Sequence, residues 1–346
     1  MSLNFTEISP LAAPRVFMSV AWQQGLLYVV GGCNNVGEPV ATLEVYDPVK
    51  NIWTTKVAMP TKRAAPIVAA FGGKIYAIGG VGETQAPVAA VEVYDVAKET
   101  WRKLTSLSEP LMGMAHVVRG DRIDLFGGMG ADTNPRDCYK SFVVSDDGER
   151  WVAMTPMPTA RYSAHAFHLA DKIYVVGGRQ GKIPVASFEV YDVARKQWDV
   201  YPNIPTKRVF PNYAMTSQYI VTLGGLKQSA NDGFSDACEM YPIKDESSAT
   251  TWITHKKQNM PTKRGDFTVF NMSEEKILVC GGIGNQGSPL ASMDVYDVTK
   301  RKWKRLGDAC IPRSTAGSAK RGNKIYLLGG MSTEGATAHC EVCELV

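Results

Sequence analysis

Ile173-Tyr-Val-Val-Gly-Gly178, followed by Phe188-Glu-Val-Tyr-Asp192 and then Trp198, is the stretch whose reading decides the fold. A short apolar run rich in β-branched and aromatic residues ends in a glycine pair. A second short run carries a tyrosine, and a tryptophan lies seven residues beyond it. Runs of this length and composition, bounded by glycine and polar turns, read as β-strands.

The same arrangement recurs along the whole chain. Glycine pairs begin at Gly31, Gly79, Gly127, Gly177, Gly224, Gly281 and Gly329, spaced 47 to 57 residues apart. The tyrosine position is held by Tyr46, Tyr94, Tyr191, Tyr241 and Tyr296, with Val144 read there in the third repeat and Cys343 in the seventh. The tryptophans are Trp53, Trp101, Trp151, Trp198, Trp252 and Trp303; Trp252 is displaced by an insertion from Lys244 to Thr250. An arginine follows four of them after ten residues, Arg63, Arg161, Arg208 and Arg313, and Arg264 follows Trp252 after twelve, while Leu111 breaks the series. Each repeat therefore predicts four short strands: one after the arginine, one before Gly-Gly, the tyrosine strand and the tryptophan strand. A period near fifty residues without helical patterning is the signature of a β-propeller.

The two ends of the chain complete the count. Phe5 precedes Arg15 by the interval that separates Trp53 from Arg63, so it stands in a tryptophan position. The run from Cys340 stops at Val346 without its tryptophan strand. The expectation is an all-β, seven-bladed propeller with four antiparallel strands per blade, one domain over residues 1–346, in which residues 1–10 complete blade seven.

Gly-Gly, Tyr and Trp in this order and spacing resemble the kelch repeat, and the resemblance covers the whole chain. Gly80-Val-Gly82, Gly128-Met-Gly130, Gly178-Arg-Gln180, Pro202-Asn-Ile-Pro205 and Gly282-Ile-Gly-Asn-Gln286 are most similar to stand-alone kelch domain-containing proteins of the group numbered eight. No stretch outside the repeats reads as a BTB or F-box segment. Phe5 and the six tryptophans are expected to be structural, as large apolar contacts between blades whose polar tips each need a partner.

Composition narrows the function. The chain has 346 residues, 45% hydrophobic and 21% charged, with a net charge of +4 and no local basic run, which argues against nucleic acid. Neither a charged-then-apolar leader nor an apolar run of about 18 residues is present, so a cytoplasmic protein that does not enter membranes is expected, as a monomer. Seven irregularly spaced cysteines read as reduced thiols, and Cys340-x-x-Cys343 has no second pair to complete a zinc site. No metal and no cofactor are assigned. Gly282-Ile-Gly-Asn-Gln-Gly287 matches a dinucleotide-binding pattern but leads into a predicted strand, and without a helix N-terminus it offers pyrophosphate no site.

The turns at one end of the blades are monotonous, whereas the loops after each Gly-Gly are diverse, so binding is expected on the loop-bearing end. Two rings of residues are candidates. One is Arg15, Arg63, Arg161, Arg208, Arg264 and Arg313, just before each innermost strand. The other follows each Gly-Gly and includes Met129, Arg179, Ile283 and Met331. Guanidinium groups around a shallow apolar mouth suit a cytosolic protein or peptide carrying carboxylates or phosphates. The resemblance implies the same, since matching positions in kelch adaptors contact partner peptides. The alternative for each arginine is an ion pair within the fold, with the acidic residue two before the tyrosine position (Glu44, Glu92, Glu189, Glu239, Asp294).

No catalytic constellation stands out, and His116 and His165 read as core residues. A non-catalytic interaction module is the expectation. An anion-binding enzyme such as a sialic acid mutarotase is the rival, and a ubiquitin-ligase substrate receptor that needs another subunit is a subsidiary one.

Overall fold

A computed structural model describes residues 3–145, 147–227, 233–243 and 250–345. Most of the insertion expected from Lys244 to Thr250 lies outside the described residues. The strands form seven four-stranded antiparallel sheets, the blades of a propeller. Blade 1, for example, runs Ser19–Gln23, Leu26–Val30, Leu43–Asp47 and Ile52–Lys56. The second strand of each blade is buried along nearly its whole length, as Leu26–Val30, Lys74–Ile78 and Lys172–Val176 show. That burial explains why these strands read as continuous apolar runs rather than alternating ones.

Blade 7 is built from both ends of the chain. Its inner three strands are Gly317–Arg321, Lys324–Leu328 and Cys340–Leu345, and Leu3–Ile8 is the fourth. The register places Phe5 opposite Cys343, as Trp53 lies opposite Tyr46 and Trp198 opposite Tyr191. Side chains alternate across a strand. Leu3 and Phe5 accordingly join the apolar layer between blades 6 and 7, with Leu278, Met293, Leu327 and Cys343. Ile8 joins the layer between blades 7 and 1, with Leu27, Tyr46, Tyr326 and Cys340.

One position differs from its spacing. Phe142, not Val144, faces Trp151, while Val144 pairs with Glu149. The tyrosine strand of blade 3 runs on to Ser145, so counting seven residues back from Trp151 stops short of the true partner. Phe142 lies 4.7 Å from the Trp151 ring centroid and does the packing of a tyrosine.

Neighbouring blades are tied at three radii. At the rim, the Nε1–H of each of the six repeat tryptophans donates to a carbonyl past the outer strand of the preceding blade. Trp53 reaches Ser9 at 2.6 Å, Trp101 reaches Val57 at 2.9 Å, and Trp198 reaches Thr155 at 2.8 Å. Trp198→Phe keeps most of the ring contact and removes only this donor. It is expected to cost about 1 kcal/mol in urea unfolding, the net worth of one hydrogen bond.

At middle radius the glycine pair lets the next blade come close. The Gly127 and Gly329 backbones adopt positive φ, and a Cβ on either would stand 2.1 Å from the Arg161 carbonyl or 2.7 Å from that of Arg15. No side chain fits there, which is the physical reason for the repeated Gly-Gly. Gly330 N–H donates to the Arg15 carbonyl at 2.8 Å, the contact that joins blade 7 to blade 1. Nearest the axis, backbone bonds such as Ala65 N–H to Phe17 C=O and Ser163 N–H to Gly113 C=O link successive blades.

Candidate functional site: the loop-bearing mouth and the channel

The six arginines lie inside the blades. Each is at most 3% exposed, and each guanidinium pairs with an acidic residue of its own blade. The pairs are Arg15–Glu44, Arg63–Glu92, Arg161–Glu189, Arg208–Glu239, Arg264–Asp294 and Arg313–Glu341. The other amino group donates to the first glycine of the blade's pair, for example from Arg63 to the Gly79 carbonyl at 3.2 Å and to Ala90 at 2.6 Å. Burial pulls the Arg15, Arg63, Arg161 and Arg264 guanidinium groups below their ordinary value, and the facing carboxylates oppose that shift.

Arg15, Arg63, Arg161, Arg208, Arg264 and Arg313 therefore do not present charge to a partner, contrary to one of the two readings of their spacing. Their terminal amino groups hold the glycine pair and the third strand together, while the Nε atoms of Arg161, Arg264 and Arg313 are buried without a partner. Blade 3 shows the same logic by exception. Leu111 fills the arginine slot, fully buried, and Lys140 stands where the acidic residue would be, so both partners of the buried ion pair are missing together.

What does line the mouth is the residue two after each arginine. Phe17, Ala65, Gly113, Ser163, Phe210, Asp266 and Thr315 all have φ between 45° and 64°. Seven left-handed residues, one per blade, turn the chain at the start of each innermost strand. Six of them line a central cavity of about 650 Å³, with Met18, Val20, His116, Asn212 and Thr268. Holding a bulky side chain at such a φ is costly, and outliers of this kind cluster at functional sites. Sequence reasoning missed this ring, although its fixed offset from the arginines was available.

Toward the loops, a second cavity of about 510 Å³ opens between blades 1, 2, 3 and 7. Its walls are mostly apolar: Val16, Phe17, Cys33, Ala64, Val81, Met112, Met114 and Met331, with Asn34, Asn35, Gln85 and Ser163 at the fringe. Three residues that follow Gly-Gly, Cys33, Val81 and Met331, line it. Ile283 and Met331 border a smaller cavity of about 260 Å³ beside Pro289 and Ser314. Met129 pairs with Met112 in a two-residue ladder and is half-buried. Arg179 is the post-glycine residue with a charge. Its guanidinium sits 4.7 Å from the Tyr162 centroid and 4.4 Å from that of Phe210. Such stacking fixes a guanidinium while leaving its edge available.

The two histidines also differ from expectation. His116 lines the central cavity, and His165 is exposed, stacking 5.7 Å from Tyr213. They are one position apart in register, since His165 faces the residue before its glycine pair and His116 the second one before. Desolvation pushes the His116 imidazole down to about 4, so it is neutral near pH 7. Burial likewise raises the Asp266 carboxyl above its ordinary range, although the side chain remains open to the channel. The glycine-rich Gly282–Gly287 segment runs into the strand Ser292–Asp297, which leaves no helix N-terminus there.

Comparison with known proteins places this geometry. The model of the KLHDC2/KLHL20/DRC7 Kelch-repeats domain matches residues 67–246, and the Kelch motif matches 14–60 and 272–308. Kelch domain-containing protein 8B of Rattus norvegicus is 34% identical over 161 residues, which is 44% of this chain and 44% of that protein. The match thus spans under half the length of that relative. Beta-scruin of Limulus polyphemus is 29% identical over 228 residues, 60% of this chain and 24% of its own. The structure of YjhT superimposes with a TM-score of 0.65 over 87% of this chain and 99% of that one, at 14% identity, a likeness of fold alone. With its repeats matched, its seven four-stranded blades closed by the first strand and its glycine pairs seated against the next blade, the chain belongs to the kelch-repeat family.

Proposed function

We propose that this propeller is a non-catalytic protein-interaction module that holds a short segment of a cytosolic partner over its loop-bearing mouth. The observation that carries this reading is a pair of exposed phenylalanines in left-handed backbone at the rim. Phe17 is 51% exposed and Phe210 41%, both with φ of 53°. An aromatic that is both strained and wet has no reason of stability to be there. Met331, 37% exposed, continues the apolar rim. The partner segment would seat an apolar side chain in the cavity beside Phe17, with a carboxylate or phosphate meeting Arg179 next to Phe210. Met129 and Ile283 lie farther round the same ring. The acidic preference rests on Arg179 and on the exposed Lys207 and Lys263, since the six buried arginines are committed.

The experiment is affinity capture from cytosol with the wild type, Phe17→Asn/Phe210→Asn and Arg179→Ala. Asparagine tolerates left-handed φ better than phenylalanine, so the double variant should melt no lower than the wild type. Capture of the partner is expected to fall at least ten-fold, as for loss of aromatic anchors at an interface hot spot. Undiminished capture by the folded double variant would end this reading. The enzymatic rival relied on an arginine-lined mouth, and burial of those six arginines takes that support from it. A role as a ubiquitin-ligase receptor would use the same face with an additional subunit.

A further inference from the structure

Three residues far apart in sequence meet where the first strand closes the ring. Glu7 lies on Leu3–Ile8, Cys310 on the crossover from blade 6 to blade 7, and His339 just before the third strand of blade 7. One carboxylate oxygen, the thiol sulfur and one imidazole nitrogen all lie within 4.8 Å of one another. Cys310 is the exposed cysteine; Cys33, Cys238, Cys280, Cys340 and Cys343 are buried and Cys138 is half-buried. All are free thiols, so Cys310 is not held in a disulfide.

Two of the three groups lack the partner they should have. The His339 Nε2 atom is buried and has no hydrogen-bond partner. Among the described residues Glu7 makes no ion pair, and in register it faces Glu341, a second carboxylate. Glu341 is already committed: one oxygen accepts from Arg313 at 2.7 Å and the other from the Cys310 backbone N–H at 2.7 Å. That bond also fixes the Cys310 backbone, and with it the position of the thiol. Like charges directly opposite on neighbouring strands are destabilising unless a cation intervenes.

We propose that Glu7, Cys310 and His339 form a zinc site that staples the first strand of the chain to the end of the propeller. Thiolate, imidazole and carboxylate together are the donor set of zinc rather than of calcium or magnesium, and three protein ligands leave a fourth position for water. Zinc–ligand distances of about 2.0–2.3 Å require the three atoms to close by roughly 1 Å from their present separation. Two of the three side chains are exposed, so an ion can reach the site and the closing motion is a side-chain rotation. Binding would form zinc bonds to sulfur, nitrogen and oxygen in place of waters of the hydrated ion, and would release the thiol proton to solvent. The ion would bridge a strand, a crossover and a loop, of which the strand is otherwise held by the Leu3–Ile8 ladder and its apolar contacts. The sequence contains no local ligand spacing to reveal this, since the ligands lie at positions 7, 310 and 339.

The test uses the full chain, stripped with chelator under reducing conditions. Zinc titrated by calorimetry should bind one ion per chain and raise the melting temperature. Cobalt should give the intense near-ultraviolet thiolate band and visible bands of tetrahedral coordination. Cys310→Ser and His339→Gln should each weaken zinc binding at least 100-fold. The metal-free melting temperature of Cys310→Ser should match that of the metal-free wild type, which separates loss of the site from loss of the fold. No stoichiometric binding by the wild type, or equal binding by both variants, would overturn the proposal.

Discussion

Arg161→Met lowers the unfolding free energy by about 3–5 kcal/mol, the cost of leaving one partner of a buried ion pair uncompensated. Arg161 is wholly buried, its guanidinium 2.5 Å from a Glu189 oxygen and 2.9 Å from the Ser187 carbonyl. Methionine fills the volume and takes away every donor. The Glu189 carboxylate, 1% exposed, then has neither water nor a cation. Urea unfolding of the variant should show the midpoint displaced with an unchanged slope. The double variant Arg161→Met/Glu189→Leu should recover most of the loss, because replacing both charges by apolar groups is often neutral. Blade 3 has Leu111 in the arginine slot and no carboxylate facing it. A stability change under about 1 kcal/mol for Arg161→Met would mean that the arginine is a surface ligand after all.

Removal of residues 1–9 is the second large effect. It takes away the whole fourth strand of blade 7, including the ladder that pairs Leu3 through Ile8 with Leu345 through Cys340. Three half-buried apolar side chains, Leu3, Phe5 and Ile8, go with it, worth about 1 kcal/mol each. Cys343 and Leu327 lose their cover on one side. Trp53 loses its acceptor at Ser9, and the Ser9 bonds to Asn51 vanish. Together these amount to about 5 kcal/mol, counting the ladder and rim hydrogen bonds at about 1 kcal/mol or less each. Melting should fall by about 7 °C, and a synthetic peptide of residues 1–12 added in excess should restore part of it. A melting temperature within about 1 °C of the full chain would contradict closure by this strand.

The repeat was legible because its residues have narrow physical jobs. A glycine pair with positive φ pressed on a carbonyl cannot be replaced, and a tryptophan that must reach across to the preceding blade keeps its distance from the tyrosine. Phe5 could be placed in register from that spacing alone, and the ladder with Cys343 bears it out. Val144 was misplaced because a lengthened hairpin changes the count without changing the contact. The candidate site was less legible. Arginine spacing is the same whether the side chain points to solvent or into the blade, and only the three-dimensional position of Glu92 or Glu189 decides. The left-handed ring has no residue type in common, running from glycine to phenylalanine, so composition could not mark it. Glu7, Cys310 and His339 are joined only by the closure itself.

Amide hydrogen exchange across the first strand tests the central claim most directly, because the mouth, the arginine pairs and the metal site all depend on a closed ring. In the intact chain, the Leu3–Ile8 amides that bond to Cys340–Leu345 should exchange on the timescale of Lys324–Leu328, the second strand of the same blade. Exchange of Leu3–Ile8 at the rate of an unstructured terminus, with Lys324–Leu328 still protected, would contradict it.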